Sequence, residues 1–216
     1  VVAGQQTKKV RALDEDGLYW YARSEYTVST PNAETLWTFT TSGAIQAPPT
    51  WHDGVLYVGS GDGLIYAIDA SSGEERWAFE TGGPVISSPA VFAQESGDDL
   101  VIAGSQDGNL YALDARTGAL VWTYNTGGAV HSNPLVHAGV VYVGSGDCRI
   151  HAVLAGDGTP KWTFPVSGLM RQRPTVHGGV LYAVVRDTKV YAIEVADGSL
   201  YWQQNADTGN SYMPIT

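Results

Sequence analysis

A single cysteine, Cys148, leaves the 216-residue chain without an internal disulfide, and no Cys/His spacing resembles a zinc site. No apolar stretch approaches the ~18 residues of a membrane-crossing helix, so nothing here is expected to span a membrane. Charge is also scarce. Charged residues make up 16%, against about a quarter in ordinary globular chains. Cations are scarcer still: Lys+Arg 12 against Asp+Glu 22 gives a net charge of −10. Such a chain repels phosphate backbones, which argues against a nucleic-acid partner. The Ala/Glu/Lys/Leu blocks that favour helices are missing. There is no initiator Met and no secretory signal at Val1, so the chain reads as a mature or excised piece. What is present in quantity is glycine, at 26 residues, with Trp and Tyr supplying 19 more. That mixture suits tight turns between aromatic-rich strands.

Self-similarity organises the chain. Trp37, Trp77, Trp122, Trp162 and Trp202 lie 40, 45, 40 and 40 residues apart, and each is followed twelve residues later by a proline, Pro49, Pro89, Pro134, Pro174 or Pro214. Within one period come an apolar run, a second run at Leu56-Tyr57-Val58, a glycine hairpin at Gly59–Gly63 and a third run at Ile65–Asp69. A turn at Ser71-Ser72-Gly73 then leads to Arg76-Trp77-Ala78-Phe79. The longer period has a local cause, an insertion at Gln94–Asp99. Four short strands per ~40–45 residues is the arithmetic of a propeller blade. The expected fold is therefore all-β: one domain over 1–216, with four-stranded antiparallel blades and four clear repeats ending at Trp77, Trp122, Trp162 and Trp202.

The ends extend the pattern. Val1–Gly4 aligns with Leu56–Gly59 and Val10–Asp14 with Ile65–Asp69, while the chain stops on Pro214-Ile215-Thr216, a first strand. Residues 214–216 with 1–20 are expected to share a blade that closes the ring, which removes unpaired sheet edges, with Trp20 at its repeat position. Residues 21–40 are too short for a full blade and read as an irregular partial one. The count is thus five to six blades, one degenerate.

The run YVGSGDGLIYAIDASSGEERWAFETGGPVISSP (57–89) resembles the pyrroloquinoline-quinone (PQQ) enzyme-type repeat, with its Ala-x-Asp-x-x-x-Gly-x-x-x-Trp docking motif. The resemblance implies that each Trp packs between neighbouring blades. It covers nearly the whole chain, most weakly at 21–36. The family includes quinoprotein dehydrogenases, an outer-membrane assembly lipoprotein propeller, and sensor modules of receptor kinases, so the resemblance specifies the fold far more than the function.

Catalytic members of that family imply calcium held by Glu, Asn and Asp beside the quinone, and often adjacent cysteines. Here there is one Cys. Asp62, Asp107, Asp147 and Asp187 recur in the hairpins between second and third strands, and Asp14, Asp69 and Asp114 recur after the third strand. A residue repeated in every blade reads as a turn residue bonding its own backbone. His52, His137 and His177 recur fifteen residues after a Trp, in separate blades, and do not converge as metal ligands would. Glu95, Asp98 and Asp99 lack calcium-loop spacing and read as a solvated acidic loop. No catalytic and no metal-binding residue is assigned.

Departures from the repeat are more informative. Strands alternate direction, so the loop entering each first strand and the hairpin between second and third strands open on one face. Nine residues after each Trp stand Gln46, Ile86, His131, Arg171 and Ser211; eleven after stand Pro48, Ser88, Asn133, Arg173 and Met213. In the hairpins Arg186 replaces Gly61 and Arg149 replaces Leu64. Four of the chain's eight arginines therefore gather on adjacent blades of one face, bordered by His131 and Tyr212. Guanidinium groups suit carboxylate or phosphate recognition. The function read from this is a non-catalytic binding propeller, a protein-interaction or assembly scaffold outside the cytoplasm, in the periplasm, at the cell surface or secreted. It carries no cofactor, its partner is another protein, and assembly with further subunits is left open. The alternatives are a PQQ- and calcium-dependent oxidoreductase domain and the ligand-sensing domain of a receptor kinase.

Overall fold

A computed structural model describes residues 35–186 and 189–205, together with the backbone of 9–11. Two short strands, β1 (Lys9–Arg11) and β2 (Thr38–Thr40), pair antiparallel. Four antiparallel four-stranded sheets follow. Blade 1 comprises β3 (Thr50–His52), β4 (Val55–Gly59), β5 (Leu64–Asp69) and β6 (Glu75–Glu80), and blade 2 comprises β7 (Ala90–Phe92), β8 (Leu100–Gly104), β9 (Asn109–Asp114) and β10 (Leu120–Asn125). Blade 3 comprises β11 (Leu135–His137), β12 (Val140–Gly144), β13 (Arg149–Leu154) and β14 (Pro160–Pro165). Blade 4 comprises β15 (Thr175–His177), β16 (Val180–Val184), β17 (Lys189–Glu194) and β18 (Leu200–Asn205). Strands lie in chain order across every sheet, and no helix occurs among the described residues. The β-propeller architecture expected from the repeat is the one observed.

Burial explains why the second strands are apolar throughout and the third mainly so between their ends, while the fourth strands are not. Val55–Gly59 and Leu100–Gly104 are buried at every residue, because both faces of the sheet are covered by neighbouring blades. The core is accordingly a series of wedges. One joins Tyr57 and Trp77 of blade 1 to Val101 and Leu113 of blade 2. The next joins Ile102 and Trp122 to Val141 and Val153, and a third joins Tyr142 and Trp162 to Leu181 and Ile193.

Each docking Trp is aimed by local geometry. A register shift just before Trp77, Trp122, Trp162 and Trp202 inserts a bulge into the fourth strand, which turns the side chain toward the next blade. There Trp37, Trp77, Trp122 and Trp162 each donate from Nε1 to a backbone carbonyl, of Ala70, Ala115, Ala155 and Val195, at 2.9–3.0 Å. The glycine of the receiving turn is obligatory twice over. Gly118 has φ +73, and a Cβ placed on it would sit 2.7 Å from the Trp77 ring. The inter-blade packing that the family resemblance implied for these tryptophans is thus explicit.

One pairing differs from the sequence expectation. Thr38–Thr40, assigned to the partial blade, pairs with Lys9–Arg11, assigned to the shared blade, with Val10 opposite Phe39 as Ile65 is opposite Phe79. Trp37, docked on Ala70, thus stands immediately before the strand that pairs with β1. The physical reason lies in spacing: Asp69 to Trp77 is eight residues, whereas Asp14 to Trp20 is six, too few for the same turn and bulge. Trp20, residues 21–34, and the terminal segments expected to close the ring lie outside the described residues.

Candidate functional site: the loop face of blades 3 and 4

The face opposite the Trp docking turns is built from two kinds of segment, the loop entering each blade and the hairpin between its second and third strands. Backbone bonds lock them together. In blade 2, Val85 N–H donates to Ser60 O and Gln106 N–H to Pro84 O; in blade 3, Val130 N–H donates to Ser105 O and Gly146 N–H to Ala129 O. In blade 4, Arg186 N–H donates to Leu169 O at 2.9 Å, tying the Arg186 hairpin to the loop that carries Arg171 and Arg173. Those loops and hairpins therefore share a face, as strand alternation predicts.

Side chains add a second layer at the earlier seams. Thr81 Oγ1 donates to Gly63 O and reaches Ser105 Oγ at 3.3 Å, and Thr126 Oγ1 meets Ser145 Oγ at 2.8 Å. The hairpin aspartates reach across the seam. Asp62 Oδ2 accepts from Ser42 N–H, Gly43 N–H and the Tyr66 hydroxyl, and Asp107 Oδ2 accepts from Gly82 N–H and the Tyr111 hydroxyl. Burial opposes ionisation of Asp62, but the bonds from Ser60, Leu64, Tyr66 and Gly43 outweigh it and hold the carboxyl below its ordinary value. Burial and the Asp62 carboxylate together push the Tyr66 hydroxyl up to about 12. The turn role expected of these aspartates is present: Leu64 N–H bonds Asp62 Oδ1, and Ser71 and Ser72 N–H bond Asp69 Oδ1. The reach to the preceding loop was not legible, since it depends on which blade lies alongside.

Blade 3 varies the clasp. His151 stands where the other blades have tyrosine; its Nε2 lies 3.1 Å from Asp147 Oδ2 and its Nδ1 3.0 Å from the Tyr124 hydroxyl. Burial lowers its pKa in spite of Asp147. On the opposite face His52 Nε2 meets Asp99 Oδ2 at 2.6 Å, so the inserted loop docks onto blade 1 and Asp99 is not merely solvated. The Gln94 N–H first and His52 second hold the Asp99 carboxyl low.

The predicted site residues divide. Arg171, Arg173 and Arg186 are exposed and form no ion pair among the described residues, whereas Arg76 pairs with Asp69 at 2.7 Å. His131 lies close enough to Arg171 for that charge to reinforce burial in lowering its pKa. Its Nδ1 is buried and has no hydrogen-bond partner, alone in this among the side-chain N and O atoms of the described residues. Arg149 is exposed too, its Nη1 donating to Thr163 Oγ1 at 3.4 Å on β14, the outer strand of the same blade. Tyr212 and Asp187 lie outside the described residues. Sequence reasoning missed the seam beneath the arginines. Val166 and Val185, both buried, replace the Thr/Ser pair, and with buried Met170 they make this seam apolar. The substitution is visible in the repeat alignment, four residues after Trp162.

No three His, Cys, Asp or Glu side chains gather as a metal site among the described residues, and Cys148 is exposed and single. No helix among the described residues is long and apolar enough to cross a membrane.

A family model described as outer membrane protein assembly factor BamB matches residues 9–125 and, in an overlapping placement, 90–215. The chain belongs to this family. BamB from Moraxella catarrhalis superposes with a TM-score of 0.70 at 25% identity, over 92% of this chain and 66% of that one. A quinohemoprotein alcohol dehydrogenase from Pseudomonas putida shares the fold, with TM-score 0.67 and 19% identity over 77% of this chain and 35% of its own. In sequence, quinoprotein ethanol dehydrogenase from Pseudomonas aeruginosa is 42% identical over only 41 residues, 19% of this chain and 7% of that protein. The chain spans less than two thirds of each of these relatives.

Proposed function

We propose that the chain is a non-catalytic interaction scaffold, extracytoplasmic, whose docked blades present the loop face of blades 3 and 4 to another protein. One observation carries this reading. The repeated carboxylates Asp62 and Asp107 are consumed in holding blade to blade, while Arg171, Arg173 and Arg186 have no acidic partner among the described residues. A family described by an assembly factor of the outer membrane supports both the scaffold role and the location. An oxidoreductase is the second reading, favoured by the short quinoprotein match.

The test has two arms. The purified chain is titrated with pyrroloquinoline quinone and calcium while tryptophan quenching and visible absorbance are followed; no saturable binding is expected. In parallel a photo-crosslinking residue is placed at exposed Gln172, between the two loop arginines. A discrete adduct in producing cells is expected there and not at Arg116. Saturable one-to-one quinone binding would overturn the scaffold reading, as would the absence of any adduct specific to position 172.

A further inference from the structure

We propose that the seam between blades 2 and 3 is an acid-released clasp: protonation of the His151 ring breaks its bond with the Tyr124 hydroxyl and lets the loop at 126–130 open locally, while the neighbouring seams stay shut. The device lies apart from the arginine loop and stands whether or not the scaffold reading does.

Position and chemistry set blade 3 apart. The fifth residue after each docking Trp opens the entering loop, and at three seams a tyrosine of the next blade helps to hold it. Tyr66 and Tyr111 donate to Asp62 and Asp107, whose Oδ2 atoms accept from Ser42 N–H and Gly82 N–H. Ser167 N–H donates directly to the Tyr191 hydroxyl at 3.2 Å. Neither tyrosine nor aspartate ordinarily changes charge between pH 5 and pH 8, whereas histidine does. Blade 3 has His151 in the tyrosine position. There Gly127 N–H turns back to Asn125 Oδ1 at 3.0 Å instead of reaching Asp147.

The two ring nitrogens of His151 have fixed and opposite roles. Nε2 lies 3.2 and 3.1 Å from the two carboxylate oxygens of Asp147, which only accept, so the neutral ring carries its proton there. Nδ1 is then the acceptor for the Tyr124 hydroxyl at 3.0 Å. A second ring proton puts a donor at Nδ1, opposite a hydroxyl whose own proton already points that way. Contact survives only if the hydroxyl turns about and gives up the acceptor for its proton.

The cation would also sit on a side chain only 4% exposed, where charge is costly. Burial lowers the pKa of the ring against the pull of Asp147, and Arg149 adds to the lowering. The titratable and charged groups facing the ring are Asp147 in the hairpin, Arg149 on the same strand and Tyr124 on β10. Its sheet neighbours Val143 and Thr163 and the loop at 126–130 bring none. An open seam, where water solvates the imidazolium, binds the proton more tightly than the closed one. Its population therefore rises as pH falls, by up to ~tenfold per pH unit.

Amide hydrogen exchange of the full chain between pH 7.5 and pH 5, referred to unstructured-peptide rates at each pH, reads the opening directly. Gly146 N–H, bonded across the seam to Ala129 O, should lose about fivefold or more of its protection on acidification. Gly61 N–H and Gln106 N–H, which make the same bond to Ala44 O and Pro84 O at the earlier seams, should change less than about twofold. His151→Tyr with Tyr124→Phe should abolish the loss at Gly146. His131, further along the loop and near Arg171, is kept in every variant, so its share cancels. Imidazole nitrogen NMR gives a second reading that needs no variant: at neutral pH the proton should reside on Nε2, and the titration midpoint of the ring should match that of the protection loss. Unchanged protection at Gly146, equal loss at all three seams, the same loss in the double variant, or a neutral ring protonated on Nδ1 would each overturn the proposal.

Discussion

The seam between blades 2 and 3 and the seam between blades 3 and 4 are made by the same stretch of the repeat with opposite chemistry. At the first, Thr126 and Ser145 share a buried hydroxyl contact, and the loop above carries Ser132 and Asn133. At the second, Val166, Met170 and Val185 pack dry, and the loop above carries exposed Arg171 and Arg173. A propeller seam needs only to be filled and hydrogen-bonded, so the polar and the apolar solutions both serve. What the dry seam changes is the outside. Its loop still docks through backbone bonds and through the Ser167 hydroxyl, 2.6 Å from the Tyr191 hydroxyl, yet Arg171 and Arg173 above the seam form no ion pair among the described residues.

Both seams depend on the same Trp docking, and breaking that should cost the most. Gly198→Ala, at the seam between blades 3 and 4, forces a Cβ to 2.7 Å from the buried Trp162 ring at a residue with φ +79. Backbone strain of ~1–2 kcal/mol and overpacking of ~1–3 kcal/mol together predict a loss of about 3 kcal/mol in urea unfolding. Gly54→Ala provides the contrast: φ is +74 but nothing lies within 4 Å, so only the strain of ~1–2 kcal/mol should appear. Equal losses at the two sites would mean that the Trp–Gly contact contributes nothing.

The difference between the seams can be tested by exchange. Val166→Thr and Val185→Ser should each cost about 1–2 kcal/mol through lost apolar burial. Together they should cost at least ~0.5 kcal/mol less than the sum, because the two hydroxyls can pair as Thr126 and Ser145 do. Strict additivity in the double-mutant cycle would show that the hydroxyl contact is incidental.

The fold was legible because the constraint repeats. Trp, Gly, Asp and Pro return at fixed offsets, and each offset has a mechanical cause in the bulge, the left-handed turn and the capped hairpin. The arginine loop was legible for the converse reason, as a local departure from that background. What could not be read was anything decided by the neighbouring blade. The bonds of Asp62 to Ser42 and Gly43, and of His52 to Asp99, span 20, 19 and 47 residues and depend on how sheets stack. The pairing of β1 with β2 was missed for a similar reason, since Trp20 resembles a repeat Trp in type but not in its distance from Asp14.

The buried histidine of blade 3 makes the polar seam sensitive to pH. His151 and His131 both have pKa values lowered by burial, so the unfolded chain binds protons that the folded chain does not. Stability is then fully present above the unfolded histidine value of ~6.5 and is lost as pH falls from there toward the folded values. The thermal midpoint should drop between pH 7 and pH 5. Tyr124→Phe with His151→Tyr, which restores the pairing seen as Phe79 with Tyr111, should flatten most of that drop, leaving the His131 share. An unaltered pH profile in the double variant would acquit His151.

The smallest expected effect lies in the blade 3 hairpin, at the edge of the arginine loop. Cys148 has φ +62, where the hairpins of blades 1 and 2 place Gly63 at +90 and Gly108 at +94. The left-handed conformation costs a side-chain-bearing residue ~1–2 kcal/mol. Glycine removes that strain but gives up ~0.5–1 kcal/mol in conformational entropy. Cys148→Gly should therefore stabilise the chain by about 0.5 kcal/mol, read as a small rise in the urea midpoint with unchanged slope. Since Cys148 O accepts from Val166 N–H, a loss of stability instead would show that the strained residue is held there for the loop that carries Arg171 and Arg173.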